Sequence, residues 1–148
     1  MRLINSDITR SMSVEVPLVS ATTTQVNFPD IPILRNRFFI GIEAAMNSIC
    51  PSSGKTNVFS QPTFDGDYSS FLTLIDKDGF QFVQNMPCTE LRNTNYFSFS
   101  GSTFFAFNSN GLYLFNDRVV VWNKCSIYLP SAYASGATSS FLFNVYYK

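Results

Sequence analysis

Apolar residues recur at every second position over much of this chain, as in Phe80/Phe82, Phe97/Phe99, Phe105/Phe107, Tyr113/Phe115 and Phe141/Phe143. Successive side chains of a strand point to opposite faces of a sheet, so this is the period of strands that bury one face. No stretch carries the spacing of an amphipathic helix. Strands are expected at 34–46, 71–75, 80–84, 96–100, 103–108, 112–115, 118–123, 126–129 and 140–147. Within the first of these, Gly41 marks a bulge or a close backbone approach. The tail Glu43-Ala44-Ala45-Met46 favours a short turn. The run Asp76-Lys77-Asp78-Gly79 joins 71–75 to 80–84 as a hairpin, with Gly79 supplying the positive-φ residue. Gly101-Ser102, Ser109-Asn110-Gly111 and Asn116-Asp117 are expected to break the later strands as turns. Residues 47–70 are rich in Ser, Pro, Gly and Asn and read as a long loop with one weak strand near 57–60. A loop of that length is usually functional or lies at an interface. Residues 130–138 form a second, small-residue loop. Eight to ten short strands without a helix predict an all-β fold, an antiparallel β-sandwich or barrel.

Residues 1–30 stand apart from residues 31–148, the sandwich domain. Met12, Val14, Val16 and Leu18 alternate with polar positions, and a Thr-rich stretch follows. The segment reads as an extended N-terminal arm or an edge strand, the only place where Pro17 is tolerated. Pro29 and Pro32 then hold the chain extended. Such an arm packs on its own domain or reaches onto a neighbour.

Composition narrows the function. Of 148 residues, 16 are Phe and none is His, which removes the commonest general base and metal ligand. Ten acids balance ten bases. Zero net charge argues against nucleic-acid binding, which needs clustered Lys and Arg, and favours association. The low charge suits a surface largely covered by neighbours. Cys50, Cys88 and Cys125 are too far apart for a disulfide framework or a zinc site, and read as small buried hydrophobes. No N-x-[ST] acceptor occurs, the N-terminus has no apolar signal region, and no apolar run is long enough to span a membrane. A protein made in a cytosol is expected, with no cofactor.

The candidate chemical motifs reduce to structure. Ser53-Gly54-Lys55-Thr56 ends like a phosphate-binding loop, but Ile49 stands where its first glycine belongs and no helix follows. The pairs Asp65/Asp67 and Asp76/Asp78 each carry a turn glycine and read as turn chemistry rather than as paired catalytic carboxylates. Nucleophile triads lack a base, and none of Lys55, Lys77, Lys124 and Lys148 sits in an apolar run. A non-enzymatic protein is expected. Among the aromatics, Tyr128 and Tyr133 are the candidates for a ligand platform, with one of Tyr146 and Tyr147 exposed, whereas Trp122 belongs to the core.

With 12–18 as an arm, 118–129 and 140–148 as closing strands and no active site, the chain resembles the single jelly-roll structural proteins of icosahedral viruses. Among these it is most similar to the small vertex (penton) proteins of double-jelly-roll phages. That resemblance implies a capsid vertex or minor capsid component. It would be assembled in the host cytoplasm, with itself and other virion proteins as partners. The interface candidates are Met12, Val14, Val16 and Leu18 on the arm, with Arg35, Arg37 and Arg118 for polar contacts. The alternative is a glycan- or receptor-binding β-sandwich, such as a phage spike head, that works through loops 47–70 and 130–139.

Overall fold

The computed structural model describes residues 9–61, 70–91, 105–108 and 111–148. Two layers of strands carry all of its regular structure apart from short 3-10 turns. The strands are β1 (Arg10–Pro17), β2 (Gln25–Asn27), β3 (Phe38–Ala44), β4 (Thr56–Asn57), β5 (Phe71–Ile75), β6 (Gln81–Pro87), β7 (Phe105–Asn108), β8 (Gly111–Val119), β9 (Ser126–Tyr128) and β10 (Ser139–Tyr147). The first sheet has the order β1-β10-β3-β8-β7, with β4 lying parallel against the start of β10. The second has the order β2-β9-β5-β6. Apart from β4, every pairing is antiparallel. The chain is therefore all-β and sandwich-like, as its period-2 patterning requires. Among the described residues no helix is long and apolar enough to cross a membrane.

The pairings are nested: β1 with β10, β2 with β9, β3 with β8, and β5 with β6 at the tip. The tip is the hairpin expected from Asp76–Gly79, with Gly79 at φ +82°. Asp76 closes it: its Oδ1 accepts from the backbone N–H of Asp78 (2.9 Å) and Phe80 (3.0 Å).

Residues 10–18 are spent within the domain. β1 pairs along its whole length with β10, and Val14, Val16 and Leu18 are buried in the core, with Met12 packed against it. The alternation that suggested an arm is the alternation of a sheet edge, so these side chains are not free to seat on a neighbouring subunit. β1 and β2 belong to the same two sheets as the rest of the chain.

Between the sheets, β10 contributes Phe141, Phe143, Val145 and Tyr147, and the second sheet contributes Leu72, Leu74 and Ile127. Phe28, Phe59 and Trp122 fill the space between. Phe143 lies 5.4 Å from Phe28 and 5.3 Å from Phe59, and Phe39 meets Trp122 edge-on at 5.5 Å. Trp122 is a core residue.

Other expectations give way, the strand expected at 118–123 among them, since β8 ends at Val119 and Trp122–Lys124 is a 3-10 turn. Asn116-Asp117 does not break a strand, because β8 runs through it from Gly111 to Val119. Phe39 pairs with Arg118 and Gly41 with Tyr113, so residues 114–117 bulge opposite Ile40 alone, beside the glycine that signalled a bulge. Glu43 and Ala44 continue β3 instead of turning. The strand expected at 96–100, the turn at Gly101-Ser102 and the pair Asp65/Asp67 lie outside the described residues.

The loop after β3 is ordered by one buried side chain. Asn57 donates to the carbonyls of Ala45 (2.6 Å) and Asn47 (2.8 Å) and accepts from the N–H of Phe59 (3.2 Å) and Leu142 (3.3 Å). This folds residues 45–55 over the start of β10, where Ala45, Cys50 and Leu142 make a small second core.

All three cysteines are buried and free. Burial pushes the thiols of Cys88 and Cys125 up to about 12 and that of Cys50 up to about 11. A protonated, buried thiol is a poor nucleophile. At neutral pH a chromogenic disulfide reagent should therefore label the folded chain far more slowly than the denatured one, which should release all three thiols. One fast-reacting thiol in the folded chain would contradict this packing. The stability tied to these groups is full below the ordinary thiol value of 9.0 and is lost as pH climbs toward the folded values.

Candidate functional site

Charged side chains gather at one end of the sandwich, where β10 ends, β8 leaves the first sheet and the β5–β6 hairpin turns. β3 brings this about: Phe39 pairs with Arg118 on one side and with Tyr147 on the other. Arg35 and Arg37 immediately precede β3, so the register draws them to the same end as Arg118. Sequence separation had hidden that proximity.

Each cation here has a distinct environment. Arg35 makes a bidentate ion pair with Asp30 on the surface, and its hydrogen bond holds the Asp30 carboxyl below the usual range. Arg37 lies at the mouth of the core beside Trp122 and Tyr147. Arg118 is mostly buried: it donates to Asp76 Oδ2 at 2.6 Å and stands over the rings of Phe80 and Phe82 at 5.4 and 5.3 Å. Lys148 Nζ reaches Asp117 Oδ2 at 2.8 Å. Beneath them the hairpin is stitched to the exit of β8, with Lys77 N–H donating to Val119 O (2.9 Å) and Val121 N–H to Ile75 O (3.0 Å).

Two shallow clefts open between these groups and share the walls Lys77 and Val119. One, of about 330 Å³, is lined by Asp30, Arg35, Asn36, Trp122 and Asn123. The other, of about 290 Å³, is lined by Phe38, Asp76, Asp78, Asp117 and Arg118. Phe38 in the wall of the second cleft and Phe80 against Arg118 are exposed by 49% and 48%, and Ile33, two residues before Arg35 in the chain, is exposed by 59%. Exposed aromatics beside arginines are the composition of protein–protein contact surfaces. The carboxylates of Asp30, Asp76 and Asp117 are held by cations, and among the described residues no group of His, Cys, Asp or Glu could hold a metal ion.

The other candidates scatter. Tyr128 is exposed by 46% on β9, but Tyr133 is 6% exposed and packs in the core, so the two form no joint platform. Of the neighbouring tyrosines, Tyr146 is half-buried on the outer face of the first sheet and Tyr147 points inward. Residues 47–61 and 130–139 lie at the opposite end from the charged clefts, near the start of β10. Ile33, Phe38, Phe80 and Lys77 were not singled out by the sequence. Phe80 carried the only signal, an aromatic directly after a turn glycine.

No protein-family model matches the chain, and neither the curated proteins nor the solved structures include a match.

Proposed function

We propose that this chain is a single jelly roll that serves as a virion structural subunit, a capsid vertex or minor capsid component that works by assembly rather than by catalysis. The strand order carries this reading. Rolling one long antiparallel ribbon, with β5–β6 at its tip, yields two facing sheets ordered 1-10-3-8 and 2-9-5-6, and those are the orders found. β7 and β4 are additions to that ribbon. Jelly rolls of this kind form viral capsid and lectin domains.

Fold alone does not choose between these uses. The charged end favours assembly, because it combines exposed Phe38, Phe80 and Ile33 with the surface pair Arg35–Asp30. A patch of one chemistry meeting a different patch on the next copy gives a ring when the rotation closes. Virion proteins of other sequence are the remaining partners.

Sedimentation of the purified chain over a wide concentration range tests the reading. The expected result is a closed oligomer. Phe38→Asp combined with Arg35→Glu should raise its dissociation constant by about thirtyfold, the effect of losing one interface hot spot worth about 2 kcal/mol. A wild-type chain that stays monomeric, both alone and with co-expressed proteins of its own genome, would defeat the proposal.

A further inference from the structure

We propose that the outer face of the first sheet is a binding platform for a neutral carbohydrate, built from Tyr113, Tyr146, Glu43 and Asn144. This goes beyond assembly and does not rest on it. The residues come together through register: Gly41 pairs with Tyr113 on β8 and with Tyr146 on β10, and Glu43 pairs with Asn144. All four side chains are half-buried on the face turned away from the core.

Gly41 sets the geometry. A Cβ at this position would sit 2.5 Å from Cδ1 of Tyr113, so the Tyr113 ring lies directly on the glycine, supported from beneath. The Tyr146 ring lies beside it with centroids 5.8 Å apart and planes tilted by 36°. Together they offer an apolar surface against which the C–H face of a pyranose can stack. Next to the rings, Glu43 Oε1 accepts from Tyr146 Oη (2.7 Å) and from Asn144 Nδ2 (3.2 Å). Among the described residues nothing bonds its second oxygen. A carboxylate fixed in this way is a preorganised acceptor for sugar hydroxyls, and hydrogen bonds to an ionised acceptor are about twice as strong as neutral ones. The bond to Glu43 also raises the Tyr146 pKa, and burial raises that of Tyr113, so both rings keep their hydroxyl protons.

The class of ligand follows from charge. Across β10 the neighbouring positions on this face are Ser11 and Ser13, which are polar but uncharged. Glu43 sits at the centre of the cluster with no described cation against it, so a sialylated or sulfated glycan meets repulsion. A neutral hexose chain does not.

Calorimetric titration with maltohexaose, cellohexaose and mannohexaose, with sialyllactose as the anionic control, tests the assignment. Amide NMR shifts map the contact. At least one neutral hexasaccharide should bind, with shifts centred on residues 41–43, 113 and 144–146. Tyr113→Ala and the conservative Glu43→Gln should each weaken binding by about tenfold or more, equal to a lost contact of about 1.4 kcal/mol. Tyr128→Ala, on the other sheet, should leave it unchanged. The proposal is overturned by any of four results. These are no binding at millimolar sugar, binding that survives Glu43→Gln and Tyr113→Ala, preference for sialyllactose, or protection of the Tyr113 face by a second copy of the chain. Sedimentation on the same samples reports the oligomer separately, so failure of either proposal leaves the other standing.

Discussion

Asp76→Ala should lower the unfolding free energy by about 3 kcal/mol, toward the lower end of the range for breaking a buried ion pair. Asp76 is buried, and its two carboxylate oxygens do different work. Oδ1 holds the hairpin turn through the N–H groups of Asp78 and Phe80, while Oδ2 faces Arg118 at 2.6 Å. The alanine loses both. It leaves a guanidinium with 20% side-chain exposure beside Phe80 and Phe82 without this carboxylate, and that residual exposure is why the upper end of the range is not expected. Asp76→Asn keeps an acceptor for the turn and loses the charge, so it should fall between the alanine variant and the natural chain. The pair sits where the hairpin of one sheet is stitched to the exit of β8 from the other, so both variants should loosen that end first. Denaturant unfolding gives the stability order, and amide exchange at Lys77 and Val121 locates the loosening. An alanine variant within 1 kcal/mol of the natural chain would mean that the backbone bonds alone hold the two sheets together here. Salt should change the difference little, since a buried pair is poorly screened.

What the sequence disclosed depended on range. The hairpin at Asp76–Gly79 was legible because all its determinants lie within a few residues. The shared face of Phe141 and Phe143 was legible because strand parity alone assigns it. The polar pair Asn116-Asp117 looked like a turn, yet β8 pairs with β3 on both sides of it, and the extra residues are taken up as a bulge between those pairs. Asn57 looked like one polar residue in a loop. Its importance lies in Ala45, Asn47 and Leu142, partners that no local pattern names. The same holds for the candidate sites. Arg35 and Arg37 are neighbours in the sequence, but Arg118 is far from them along the chain, and only the register of Phe39 against Arg118 brings it to their end. Tyr133 was a fair platform candidate on composition, but its loop folds back and buries the ring. Tyr113 lies on the sheet face because its partner across the ladder is Gly41, a pairing absent from any local pattern.

Phe143→Ala should cost about 3 to 5 kcal/mol, the range for removing a buried phenylalanine ring. Phe143 is fully buried on β10, with Val14 and Ala44 as its strand neighbours on either side. Its ring is the meeting point of Phe28, Phe59 and Phe141, so truncation opens a cavity lined by three other rings. Large, stiff rings anchored on different elements cannot collapse into that space easily, which places the cost in the upper part of the range. Phe143→Leu, which keeps most of the volume, should cost about 1.5 kcal/mol or less. The contrast with Phe38 separates the two uses of aromatic surface in this chain. Phe38 is about half exposed at the charged end, so Phe38→Ala should change stability by no more than about 0.5 kcal/mol while reducing self-association. Phe143→Ala should do the reverse, lowering the thermal midpoint while the folded fraction keeps its oligomer mass. Thermal unfolding and sedimentation on the two variants read these effects independently. If Phe38→Ala proved as destabilising as Phe143→Ala, Phe38 would be part of the core, and the charged end would lose its claim to be a contact surface.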